Sequence, residues 1–219
     1  MTNLICIFIM LFALVSCMDR EVQLPHTTNN DYNEIVDVSP VYMFYDESKQ
    51  DSVDFNRRNM ISTTNWLVNI DKRLTIKQIL PHLIYMYEKR HGDGMHTNES
   101  AKNYFTCFNP EIQNLAFIEF TDIIYTEGWS GDNLDPSMIY LQVDADGKLG
   151  PFTDATLRFD SFGAFYNETK NELNEDQIMN IQFVLDANLT IQKYIDLKTE
   201  LLELKNMAMV ISENEFIIN

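Results

Sequence analysis

The pattern of apolar and polar positions is written twice in this chain. "NWLVNID" (65–71) is a mostly apolar, β-prone run, followed by a polar turn and then an apolar stripe at helical spacing: Ile76, Ile79, Leu80, Leu83 and Tyr87. "NIQFVLD" (180–186) is followed in the same way by a stripe through Ile191, Tyr194, Ile195, Leu201 and Leu202. The joining segments, "IDKRLTI" (70–76) and "LDANLTI" (185–191), match at Asp71/Asp186, Leu74/Leu189, Thr75/Thr190 and Ile76/Ile191. Each threonine stands where a helix N-cap belongs, and Gln78 completes a capping-box spacing with Thr75. Pro81 falls past the first turn and predicts a kink, or a first turn separate from the main helix.

The remaining elements follow from shorter signals. "VYMFYDE" (41–47) and "NLAFIEFT" (114–121) read as strands. "IYLQVDADGKL" (139–149) reads as a strand entering an Asp-Gly hairpin turn. "FDSFGAFYNETKNEL" (159–173) suits a helix capped by Asp160 or Ser161, and "NMAMVIS" (206–212) suits a last strand. The expected fold is α+β, a two-layer helix-on-sheet arrangement with a duplicated β-α-β unit over about 65–121 and 180–212. Matching "NLAFI" (114–118) with "NMAMV" (206–210) makes both of them closing strands. The offset between copies then drops from 115 residues at the helix to 92 at the closing strand, so 91–113 reads as an inserted loop. The expected organisation is 1–16 removed, 17–40 a tether, 41–122 a first unit, 123–138 a connector and 139–219 a second unit.

Composition narrows the class. The chain has 219 residues, 45% of them hydrophobic, which suffices for one ordinary core or two small ones. Its formal charge of −17 opposes binding to nucleic acid phosphates and to anionic lipid headgroups. That charge is uneven: residues 57–120 hold eight basic against six acidic side chains, while 139–219 hold six against 14.

The N-terminus bears on location. Leu4–Val15 is an apolar run of 12, short for a bilayer span, which takes about 20 residues. It ends in Leu14-Val15-Ser16-Cys17, which resembles the lipobox of bacterial lipoproteins. That resemblance implies a cleaved signal peptide, diacylglyceryl and palmitate-type acylation at Cys17, and a membrane anchor made of lipid in the cell envelope. In enterobacterial lipoproteins an Asp directly after the cysteine retains the protein at the inner membrane; here Met18 follows and Asp19 comes one place later, which favours the outer membrane. Cys6 then leaves with the signal, and only Cys107 stays free, so no internal disulfide is expected. Cys107, among aromatics, reads as an inert buried thiol.

The order of elements in 139–212 is similar to the periplasmic domain of the ExbD/TolR biopolymer-transport family: an aliphatic strand ending in Asp186, a short turn, a helix and the closing strand "MAMVIS". The resemblance implies an interaction module among envelope proteins. It does not carry over the family's proton coupling, because Leu4–Val15 holds no acidic residue.

No nucleophile elbow, phosphate loop or dinucleotide fingerprint occurs. His91, Asp93 and His96 in "HGDGMH", with Glu99 near, form a metal-ligand candidate without fixed helical spacing. "DADG" (144–147) fails as a calcium loop, since Thr153 stands where a bidentate Glu is needed. Lys72, Arg73 and Trp129 are candidate interaction residues, with Trp129 also fitting as a buried plug. The sequence reading is therefore a lipid-anchored, non-catalytic interaction protein with no cofactor, whose partners are the membrane and other envelope proteins. The alternatives are a metal-dependent enzyme or a small-ligand sensor using the 91–113 loop.

Overall fold

The structure is a computed structural model, which describes residues 20–29, 31–32, 34–49, 51–92, 98–170 and 178–219. Its strands are β1 (Val38–Tyr45), β2 (Val53–Asn56), β3 (Asn65–Ile70), β4 (Asn103–Asn109), β5 (Asn114–Glu119), β6 (Ile124–Glu127), β7 (Ile139–Val143), β8 (Leu149–Pro151), β9 (Met179–Asp186) and β10 (Met209–Ile218). Its helices are α1 (Ile76–His91), α2 (Phe162–Thr169) and α3 (Ile191–Glu203). The fold is α+β, built on two mixed five-stranded sheets ordered β2-β1-β3-β4-β5 and β6-β10-β9-β7-β8.

The two sheets repeat one topology. β1 and β2 form an antiparallel hairpin, β3 lies parallel to β1, and β4 lies parallel to β3 after α1. In the second copy β7 and β8 form the hairpin, β9 lies parallel to β7, and β10 lies parallel to β9 after α3. The duplication is thus present, but its closing strands are β4 and β10. The expected equivalence of 114–118 with 206–210 is corrected. β5 runs antiparallel to β4, whereas β10 runs parallel to β9, so the two similar runs occupy different places. The expected inserted loop 91–113 contains β4 itself, whose "NYFTCFN" is buried at all positions except Phe108. The fifth strands also differ, since β6 is parallel to β10 and comes from the expected connector.

Helix starts follow the sequence signals. Gln78 Oε1 accepts from the Thr75 N–H at 2.8 Å, and the Thr190 hydroxyl accepts from the Lys193 N–H at 3.4 Å. Ser161 caps α2 by accepting from the Ala164 N–H at 3.1 Å. α1 runs on through Pro81 as one helix, with the proline on its exposed side and Ile79, Leu80, Leu83 and Met86 buried.

The inner faces of both sheets and the helices share one core, which joins Val41, Trp66 and Leu83 of the first copy to Leu141, Phe183 and Ile195 of the second. Phe105 of β4 meets the ring of Tyr194 of α3 at 5.9 Å, edge to face, so the helix of one copy packs against the sheet of the other. The central strand β9 is buried on its outer face too. There Val184 is buried, and Trp129 stacks between Tyr140 and Phe216, at 4.9 and 5.1 Å. Gly128 and Gly131 flank it with φ of 77° and 72°, a backbone region that favours glycine and lets the loop fold back.

The expected tether at 17–40 is, over the described residues 20–29 and 31–32, a strap bonded along the domain. Gln23 O accepts from the Lys72 N–H at 2.8 Å. Pro25 O and the Thr27 N–H both bond to Phe108 at the end of β4. His26 exchanges two hydrogen bonds with the Gln192 side chain, and the Thr27 and Thr199 hydroxyls lie 2.7 Å apart. Polar residues here signalled solvent, but they serve as partners for polar groups at the seam between the copies.

Candidate functional site

The two repeated turns meet. The Ile191 N–H donates to Leu74 O at 2.8 Å, and the Ile76 N–H donates to Leu189 O at 2.9 Å. The exchange is antiparallel and centred on Thr75 and Thr190, which gives the seam an approximate two-fold axis. An extra bond from the Lys77 N–H to Ala187 O, 2.8 Å, belongs to one side.

Beside that axis lies a buried polar cluster. Tyr125 of β6, Tyr194 and Lys198 of α3 and Glu215 of β10 are 5%, 0%, 9% and 1% exposed. The Tyr194 hydroxyl donates to Glu215 Oε2 at 2.8 Å, and Lys198 Nζ pairs with Glu215 Oε1. With its one proton given to Glu215, Tyr194 is left to accept from the Tyr125 hydroxyl, 3.0 Å away. Burial, with the Glu215 charge adding to it, pushes both phenols well above their ordinary value, so neither ionises in the physiological range. A bulge helps to build this cluster. Between Ile211 and Glu215, β10 has three residues where β9 has one, and Gln182 Nε2 reaches across to Asn214 O.

Next to Lys198 an open groove of about 370 Å³ runs between the copies. Ile118 of β5, Ile123, Leu201 and Leu202 of α3, and Met209 and Ile211 of β10 line it.

The sequence-derived candidates fall in several places. Cys17, Asp93 and His96 lie outside the described residues. His91 ends α1, where its ring stacks on Tyr87 at 4.2 Å and its Nδ1 lies 3.0 Å from Tyr87 O. Among the described residues no three His, Cys, Asp or Glu side chains converge as a metal site. Cys107 is buried, and burial pushes its thiol up. In "DADG" the Asp144 carboxylate accepts from the Asp146 and Lys148 N–H groups and so closes the hairpin turn.

Arg73 is bound twice by its side chain to Asp71, at 2.8 and 2.7 Å, and its guanidinium lies 4.6 Å from the Tyr45 ring centre. Asp71 itself is fully buried. Burial alone would raise its carboxyl, but the Arg73 side chain and the N–H groups of Arg73 and Gln23 outweigh that and hold it below the ordinary value. Lys72 is partly exposed, and its N–H is held by the strap. Trp129 is half-buried as a lid on the second sheet.

Sequence reasoning missed the Tyr125–Tyr194–Lys198–Glu215 cluster. One signal was available: Lys198 follows Tyr194 by four residues, which places a charge on the buried stripe of α3.

Comparison with protein-family models, with characterised proteins and with solved structures finds no match. The class is therefore defined by architecture alone: an α+β protein of two topologically repeated units, joined across a polar seam.

Proposed function

We infer that the protein is a lipid-anchored module of the bacterial cell envelope that acts by binding rather than by catalysis. One observation supports this most: among the described residues the buried charges, Asp71, Lys198 and Glu215, are each taken up in an ion pair within the fold. Asp71 is matched by Arg73, and Glu215 by Lys198. Arg90 donates to Asn103 and to the carbonyls of Ser62 and Thr64, and burial lowers its pKa to about 10. The internal polar chemistry thus serves architecture, and function falls to the surface. The lipobox at Leu14–Cys17 supplies the anchor, and two or three acyl chains make such anchoring durable. The element order of the second copy supports an envelope system of the ExbD/TolR type as the first partner to test.

Cys17→Ser removes the acylated atom. The variant is expected to move from the membrane to the soluble fraction with an unchanged melting temperature; unchanged membrane association refutes the anchor. Affinity capture of the anchored wild type should recover motor-linked envelope proteins, and capture of none of them removes that partner class.

A further inference from the structure

The strap changes what a lipid at Cys17 does to the domain. Cys17 lies three residues before Arg20, and three extended residues reach at most about 11 Å. Arg20 is already on the body of the protein: it is ion-paired with Asp54 of β2, and its guanidinium lies 5.8 Å from the ring centre of Phe44 in β1. No long tether separates this point from Cys17. An acyl chain rooted there holds the outer side of the β1–β2 hairpin at headgroup distance.

That side has the chemistry for such a position. Arg20, Phe44, Asp54, Arg57 and Arg58 surround one shallow hollow of about 690 Å³. Asp54 is taken up by Arg20, which leaves Arg57 and Arg58 as exposed cations. Tyr42 and Phe44 stack at 5.6 Å on the same strand, and an amphipathic ring such as that of Tyr42 suits the headgroup level. Over the whole first copy, 41–122, acidic and basic side chains nearly balance, 11 against nine, whereas 139–219 hold 14 against six. Charges act on a membrane surface within a screening length of about 8–10 Å, so the nearer copy decides the orientation despite the net charge of −17.

We propose that the face around Arg20, Arg57 and Arg58 is the surface on which the anchored domain lies against anionic phospholipid headgroups. The proposal rests on lipidation at Cys17 and adds an orientation to it. The second copy and the inter-copy groove are then turned towards the compartment.

The test uses full-length lipidated protein on vesicles of phosphatidylcholine and phosphatidylglycerol that carry a headgroup quencher. A fluorophore is attached through Asn59→Cys, in the exposed loop after Arg58, or through Glu168→Cys, on exposed α2. Strong quenching at position 59 and little at 168 is the expected result. Equal quenching, or the reverse order, on protein that is firmly membrane-bound overturns the orientation and leaves the anchor standing. Protein that does not bind the vesicles overturns the anchor, and the orientation with it. Arg57→Glu with Arg58→Glu should lower quenching at 59 by at least half while the protein stays bound. Quenching unchanged by that pair, or by replacing phosphatidylglycerol with phosphatidylcholine, overturns the role of charge.

Discussion

The turns at 71–76 and 186–191 share a backbone course and differ in what their side chains hold. Asp71 is fully buried and accepts from Arg73, from its own turn and from Gln23 of the strap. Asp186 is half-buried and accepts from the N–H and side chain of Asn188. The shared Asp, Leu, Thr and Ile are what a strand-to-helix turn needs at any copy. The unshared Lys72-Arg73 and Ala187-Asn188 give each copy its surroundings. The Asp71 side chain ties the strap to its turn, while the Asp186 side chain bonds within its own turn.

The largest effect is expected at the buried charge pair of the second copy. Glu215→Ala leaves Lys198 buried without a carboxylate and should cost about 3–5 kcal/mol in urea unfolding. Lys198→Met with Glu215→Leu should recover most of that loss; equal loss in the double variant would show that shape, not charge, is the need. Asp71→Ala should cost about 2–3 kcal/mol, and Asp186→Ala about 1 kcal/mol or less. Equal values would abolish the asymmetry between the turns. Thr190→Ala should cost about 1 kcal/mol, and Thr75→Ala roughly half as much, because the Gln78 side chain holds the Thr75 N–H.

The smallest effect is in pH. The folded Asp71 carboxyl lies below its ordinary value of 3.8, so its stabilisation is full above that value and fades as pH falls through the folded one. Wild type and Asp71→Asn should therefore lose stability with different slopes below about pH 4. Parallel slopes would place the acid sensitivity elsewhere.

The elements that were legible in the sequence are those whose period or cap is local. α1, α3, β3 and β9 announce themselves by stripe, cap and apolar run. β4 was hidden because "NYFTCFN" stands inside polar sequence, and because a better residue match nearby suggested a different closing strand. The seam was not legible. Nothing in Thr75 or Thr190 indicates that the two turns bond to each other, since that contact spans more than a hundred residues. The buried cluster needs β6, α3 and β10 together, and only Lys198 on an apolar stripe pointed to it.

The strap has a consequence for how the molecule is made. His26, Thr27, Thr28 and Asp31 bond to residues in 192–205 across 166 to 175 positions of chain. Contacts of such long range slow folding, because loop closure comes before the gain. The beginning of the chain waits for the end: α3 emerges after almost everything else, and only then can His26 and Thr27 dock. Because one core joins both copies, a chain cut short before α3 has an open seam and a strap with nothing to dock on.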